Sequence, residues 1–271
     1  MINEAVGKYL IFNGEIEEVG LNEYFEEITT NPLYEVITVI QGIPVFFEEH
    51  MNRLVHTAEL LDLELGRSLE EIKEDFYHVI SANELTEGYV KLVISDEIHL
   101  VYQYWDQGPS QQLIDEGIEV AIFDYERANP NAKIFYTNFK AEVAKYLIQT
   151  KAYEALLRNE EGELLEGSKT NLYFTSKDKV ITAPDDRVLK GITRTRLEKI
   201  FEKNNIELEK RVIRDIDLLE VDGAFISGTT VGVLPIKSIE TIELNSQNSE
   251  LIKKIIKGYQ ELQQEYINER K

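Results

Sequence analysis

An α+β fold in two domains is what this sequence predicts, and three observations carry the expectation. The chain has 271 residues, enough for two moderate cores rather than one small one. Short β-type runs alternate along it with amphipathic stretches of helical period. Between the first such group and the second, Asp106-Gln107-Gly108-Pro109-Ser110 carries turn residues and little apolar content, the pattern of a linker. Residues 1–107 are therefore taken as an N-terminal small domain, 108–117 as the linker and 118–271 as a larger C-terminal domain.

Each element follows from its local pattern. Residues 9–12 and 34–40 are β-type runs, and Gln41-Gly42 turns the second back towards Val45-Phe46-Phe47 as a hairpin. From 48 to 63 the apolar residues Met51, Leu54, Val55, Ala58 and Leu61 keep helical spacing, and Ser68 is placed to cap a second helix over 69–82. Residues 89–94 and 99–104 are two more strands. Beyond the linker the pattern predicts strands at 118–123, 155–157, 171–174 and 224–227, and helices at 139–151 and 193–204. A last helix over 249–270 puts Leu251, Ile255, Tyr259 and Leu262 on one stripe, which predicts packing on the second domain.

Composition narrows the function. With 50 Asp+Glu against 29 Lys+Arg the net charge is −21, which repels nucleic acid and anionic membrane surfaces. No cysteine is present, excluding disulfides, thiolate metal ligands and cysteine nucleophiles. The four histidines, His50, His56, His78 and His99, show no ligand spacing with other donors, so no metal site is expected. The start Met1-Ile2-Asn3-Glu4-Ala5-Val6-Gly7 has no basic, apolar signal pattern, and no apolar run reaches the roughly 20 residues of a membrane span. A cytoplasmic protein is expected.

Chemistry concentrates in two segments. Leu165-Glu166-Gly167-Ser168-Lys169-Thr170-Asn171-Leu172-Tyr173-Phe174 places a carboxylate and an amide beside a strand. Leu189-Lys190-Gly191-Ile192-Thr193-Arg194 places small residues and a hydroxyl at a helix start, where free backbone N–H groups suit a phosphate. An acid and an anion site together suit a ligand with both a basic ring nitrogen and a phosphate. Pyridoxal 5'-phosphate is such a ligand, and the two segments resemble the fold-type IV family of pyridoxal phosphate enzymes. That family includes the class IV branched-chain and D-amino acid aminotransferases and aminodeoxychorismate lyase. The resemblance runs from about Tyr34 to Pro235, with its parts in the family's order.

The resemblance implies a smaller N-terminal α/β sandwich, a larger C-terminal domain with a β-barrel-like sheet and flanking helices that carries the cofactor lysine, and a homodimer. Lys133 and Lys140 both precede Tyr153-Glu154-Ala155-Leu156-Leu157. The family's Schiff-base lysine stands about twenty residues before the position of Tyr153 and ahead of the helix, which selects Lys133. Lys140, among Val143, Ala144 and Leu147, is explained as a helix-face lysine. Glu166 is implied as the acid on the pyridine nitrogen, keeping it protonated so that the ring accepts electrons from the substrate. Asn171 belongs to the same motif. Gly191, Ile192 and Thr193, with Thr229 in the turn Ser227-Gly228-Thr229-Thr230 and Arg53, are implied as the phosphate cradle, Leu189 as the residue against the ring, and Tyr34 as a substrate-side residue. His50 is expected to support the site rather than act as an acid or base.

Three positions depart from the family. Tyr136 stands where asparagine is frequent, Gly232 where glutamate usually precedes the apolar-proline pair, and the segment Lys91-Leu92-Val93-Ile94-Ser95-Asp96-Glu97 lacks an arginine-glycine pair. No arginine or histidine follows in the positions where D-amino acid aminotransferases hold the substrate carboxylate. The implied activity is an aminotransferase that uses an amino acid and a 2-oxo acid acceptor. Two alternatives keep the same cofactor residues: a 4-amino-4-deoxychorismate lyase that eliminates pyruvate, and a non-catalytic binder.

Overall fold

The computed structural model describes residues 4–20, 23–26, 28, 32–95, 98–106 and 108–271. Met1, Ile2, Asn3, Asp96, Glu97 and Gln107, which entered the reading above, lie outside the described residues. The chain forms two compact units, one of Met1–Gln107, Ala132–Thr137 and Gln263–Lys271, the other of Gly108–Asn131 and Asn138–Leu262.

The first unit runs β1 (Ala5–Phe12), β2 (Glu15–Glu18), α1 (Glu23–Glu26), β3 (Leu33–Ile40), β4 (Ile43–Pro44), α2 (Phe47–Leu60), α3 (Leu69–Ala82), β5 (Glu87–Ser95) and β6 (Ile98–Tyr104). Its six strands pair antiparallel in the order β2-β1-β6-β5-β3-β4. Along β3, burial alternates with period two, so Leu33, Glu35, Ile37 and Val39 share the buried face while Tyr34, Val36, Thr38 and Ile40 are half-buried. Ile37 and Val39 join Met51, Leu54, Phe76 and Val79 of α2 and α3 in one core. Ser68 caps α3 as predicted: its hydroxyl accepts from the Glu71 N–H while Glu71 Oε2 accepts from the Ser68 N–H at 2.8 Å. At the head of α2, Phe46 is left-handed (φ 58°), and the Phe47 N–H donates instead to the Tyr266 hydroxyl at 3.0 Å.

The second unit holds α4 (Gln111–Glu116), β7 (Ile118–Asp124), all but the first residue of α5 (Thr137–Thr150), β8 (Glu154–Arg158), β9 (Glu163–Gly167), β10 (Asn171–Ser176), β11 (Lys179–Thr182), α6 (Ile192–Lys203), β12 (Glu207–Lys210), β13 (Ile213–Arg214), β14 (Gly223–Gly228), β15 (Gly232–Ile239), β16 (Ile242–Glu243) and most of α7 (Glu250–Asn268). Its strands follow the order β12-β11-β10-β14-β15-β7-β8-β9-β13, with β16 on β15. One additional pairing, Glu166 of β9 with Asn171 of β10, closes β10-β14-β15-β7-β8-β9 into a ring. That ring is the barrel-like sheet the sequence implied. Leu156, Leu172, Phe174, Ile226 and Leu234 form part of its apolar filling.

The structure differs from the sequence reading in three places. Residues 108–117, expected as a linker, contain α4, whose start is capped by Ser110 accepting from the Leu113 N–H and whose end turns at Gly117 with φ 76°. Ala132–Thr137, expected in the C-terminal domain with its lysine, belongs to the first unit. The Phe135 N–H donates to the Pro32 carbonyl at 3.0 Å, and Ile134 bridges Leu33. The end of α7 also belongs to the first unit, because Tyr266 bonds Phe47 and Glu48 and sets its ring edge-on to Phe46 at 5.0 Å.

Candidate active site

In the first unit the site begins with a charge in an apolar phase. Glu35 occupies a buried position of β3 with no exposure, and an ionised carboxylate there must be met by donors. α2 supplies them from positions three apart on one face. His50 Nδ1 stands 2.7 Å from Glu35 Oε2, and Arg53 donates from Nε to Oε1 at 2.8 Å and from Nη2 to Oε2 at 2.5 Å. Burial pushes the Glu35 carboxyl up, but the Arg53 charge and the bonds from His50 and Arg53 outweigh it and hold the group down to about 2. Burial lowers the His50 imidazole, against the pull of Glu35. His50, expected to support the site, has its Nδ1 on Glu35, and Arg53, expected at a phosphate, has its fork on the same carboxylate.

Lys133, on the Ala132–Thr137 segment, is half-buried with its ammonium 4.4 Å from the centroid of the Tyr34 ring. Phe135 meets the same ring edge-on at 5.6 Å. Burial lowers the Lys133 pKa from the usual lysine value, opposed by Tyr34 and Glu35 and reinforced by Arg53. Lys140 lies half-buried on α5, in the other unit.

The second unit gathers the remaining residues. Glu166 is 4% exposed at the end of β9, opposite Asn171 at the start of β10. These two side chains clamp one residue between them: the Leu189 N–H donates to Glu166 Oε2 at 3.2 Å, and Asn171 Nδ2 donates to the Leu189 carbonyl at 2.8 Å. The other Glu166 oxygen lies 2.8 Å from Arg127 Nε, and Arg127 Nη2 donates to the Ser168 carbonyl at 2.6 Å. A second buried carboxylate, Glu154 on β8, accepts from the Ser168 N–H and hydroxyl and from the Thr170 hydroxyl, which fixes the turn between β9 and β10. Gly167 in that turn has no room for a side chain, since a Cβ would stand 2.1 Å from Thr170 Oγ1.

α6 opens at Gly191, an extended N-cap residue with no side-chain cap bond, so the first N–H groups of Ile192 and Thr193 have no capping side chain from it. A Cβ on Gly191 would lie 2.4 Å from Asn171 Oδ1, so glycine alone lets the helix start come this close to the clamp. Thr193 is buried, with its hydroxyl 3.4 Å from that of Tyr259. Thr229 lies half-buried in the connection between β14 and β15, whose ends Gly228 and Gly232 pair. Gly232 has φ +62°, which accounts for glycine at this departure from the family. Tyr136, the other, is half-buried beside Phe135.

Glu35, Arg127 and Glu154 were not among the residues singled out from the sequence. A charge in the buried phase of the alternation 33–39 was a usable signal for Glu35; Arg127 had none, because its partners come from β9 and the turn after it.

A sequence profile of the class IV aminotransferases matches residues 32–239, a span containing every site residue above. The chain belongs to the class IV aminotransferases. Enzymes of this class depend on pyridoxal phosphate. Curated class IV relatives include the branched-chain-amino-acid aminotransferase of Escherichia coli, 26% identical over 87% of this chain and 86% of that protein. A D-alanine aminotransferase of Bacillus licheniformis is 24% identical over 77% and 78%. Among solved structures, the branched-chain aminotransferase of Thermoproteus uzoniensis with norvaline gives a TM-score of 0.82 at 21% identity over 95% of each chain. A chain described as a 4-amino-4-deoxychorismate lyase from Legionella pneumophila gives 0.74 at 20% identity over 90% and 95%. Class IV aminotransferase and fold are as the sequence implied. Among the described residues no helix is long and apolar enough to cross a membrane.

Proposed function

We propose that this class IV aminotransferase moves an amino group between an amino acid and a 2-oxo acid, using pyridoxal 5'-phosphate attached at Lys133. The observation that carries this reading is the state of Lys133: a half-buried amine whose basicity is lowered by burial, over an aromatic ring. Such an amine is a better nucleophile and proton carrier at neutral pH than a surface lysine, because more of it is uncharged. When bound, the cofactor supplies an aldehyde to receive the amino group and a ring to accept electrons from the substrate carbon.

The residues present fit that group. Glu166 offers a carboxylate to a protonated ring nitrogen, held in place by Arg127 and the Leu189 N–H. Gly191, Ile192 and Thr193 offer an uncapped helix start to a phosphate dianion, with Thr229 as a further donor and Arg53 able to add only the guanidinium nitrogen that does not bond Glu35. Leu189, gripped through its backbone by Glu166 and Asn171, would be the residue against the ring. Tyr34, whose ring lies against the Lys133 ammonium, would orient that amine on the substrate side. The likeness to branched-chain and D-alanine aminotransferases favours substrates with small or apolar side chains. The family resemblance further supports a homodimer working in the cytoplasm.

The test is the visible absorption spectrum of the purified protein with pyridoxal phosphate, beside Lys133→Ala. A band at the wavelength of the lysine-bound cofactor in the parent and not in the variant supports the assignment; a band surviving in the variant moves the role to Lys140 or another lysine. Addition of an amino acid should bleach the band and a 2-oxo acid restore it. Pyruvate release from 4-amino-4-deoxychorismate with no acceptor would replace the transferase reading by the lyase.

A further inference from the structure

The helix that carries His50 and Arg53 does not cap itself. α3 and α4 each begin behind a serine whose hydroxyl accepts from the helix, whereas α2 begins behind Phe46, which makes no side-chain cap bond and lies in the left-handed region at φ 58°, ψ 35°. A bulky side chain is strained there, and such backbone persists only where its surroundings fix it. The fixing residue comes from the end of α7, 219 positions along the chain from Phe47. The Tyr266 hydroxyl accepts from the Phe47 N–H at 3.0 Å and donates to Glu48 Oε2 at 2.6 Å, so one oxygen serves two residues of the first turn. Its ring stands edge-on to Phe46 at 5.0 Å. The Arg270 guanidinium lies 3.5 Å from the centroid of the same ring and donates to the other Glu48 oxygen at 3.1 Å.

Packing asks only for the ring. Phenylalanine would keep the edge-on contact with Phe46 and the face against Arg270; the hydroxyl adds its hydrogen bonds and nothing else. Burial and the bond to Glu48 raise the Tyr266 phenol, so it stays protonated and keeps donating to that carboxylate. What hangs from this cap is the arginine on the phosphate side. The Phe46 carbonyl accepts the His50 N–H at 3.2 Å, and Arg53 follows three residues later on the same face, with Nε and Nη2 on Glu35. Glu35 is fixed in β3, so a shift in the first turn of α2 alters how the fork sits on that carboxylate and where the remaining Nη1 is placed.

We propose that Tyr266 is a positioning residue for the cofactor phosphate: its hydroxyl serves as the N-cap of α2 and, through that helix, sets the placement of Arg53. This rests on the reading that Arg53 reaches the phosphate of a cofactor attached at Lys133. The end of α7 thereby governs how tightly the phosphate is held while acting only through α2.

The experiment measures binding of pyridoxamine 5'-phosphate and pyridoxamine, which differ only in the phosphate and form no bond to lysine, by equilibrium dialysis against the full chain and its Tyr266→Phe variant. Tyr266→Phe should weaken the phosphate form about fivefold, the worth of one helix cap, and leave pyridoxamine unchanged. A contact that is merely structural moves both ligands alike. No loss, or a loss not confined to the phosphate form, overturns the proposal. Should Tyr266→Phe not fold, Arg270→Met keeps the hydroxyl but loosens the ring that carries it, and should weaken the phosphate form alone about twofold. An absent or unselective effect there overturns the proposal as well. The parent is measured first. Equal affinity for the two ligands, or no absorption by lysine-bound cofactor with pyridoxal phosphate, defeats the functional reading, whereas a phosphate preference that Tyr266→Phe leaves intact defeats this inference alone.

Discussion

Glu35 and Glu166 are both buried carboxylates facing an arginine, yet they are held in different ways. Both oxygens of Glu35 are met by side chains of α2 alone, so the group joins one strand to the helix packed on it. Glu166 is met by Arg127 from beyond β7 and by the backbone of Leu189 ahead of α6, so three distant stretches of chain converge on it. The first arrangement fixes two neighbouring elements and is complete in itself. The second sets the position of an acid by the whole sheet around it, as expected of a group whose chemistry depends on where it points. The difference predicts that substitutions at Glu35 act mainly on stability and substitutions around Glu166 mainly on rate.

The largest effect should come from breaking the self-contained cluster. Glu35→Gln leaves the Arg53 guanidinium against an amide, and unfolding in urea should show a loss of about 4 kcal/mol, whereas Glu35→Leu with Arg53→Met should recover much of it. Glu166→Gln should cost about 3 kcal/mol in kcat, a hundredfold or more, with a smaller loss in urea. Equal losses in both assays for both variants would erase the distinction. The pH dependence follows from Glu35. Its carboxyl is held at about 2 against 4.5 in the unfolded chain, so its stabilisation is complete above 4.5 and is lost as pH falls towards 2. About 2 kcal/mol should disappear between pH 6 and pH 3 in the parent, a slope that Glu35→Gln lacks. The smallest effect belongs to Gly191→Ala, where the added Cβ must displace the Asn171 amide from 2.4 Å. It should cost about 1 kcal/mol of stability and weaken cofactor binding, measured by equilibrium dialysis.

What could be read from the sequence was whatever is local in it. Glu166 and Asn171 flank four connecting residues, and Gly191 to Thr193 is a helix start, so the paired acid and amide and the helix N-terminus could all be read in the sequence as written. Lys133 carried no local signal and needed the family resemblance, since an isolated lysine before a helix has many explanations. Arg127 and Glu154 were invisible because their partners are supplied by sheet pairing and turn geometry. The same holds for unit membership. Ala132–Thr137 follows β7 in sequence but pairs with Leu33 and Pro32, contacts that no composition shift records. At α4 the Gly-Pro-Ser sequence is irregular chain, and Ser110 then caps a short helix that turn residues alone conceal.

The Glu166–Asn171 pairing has a consequence for how this protein ages and fails. β10 meets β14 through five residue pairs but meets β9 through this one, so the ring's narrowest seam is also where its acid stands. A seam with a single pair is the place where a closed sheet opens at least cost, long before the molecule melts. Heating or mild denaturant should then switch the enzyme off while most of its backbone amides remain protected from exchange, making lost activity an early gauge of barrel integrity rather than a late sign of unfolding.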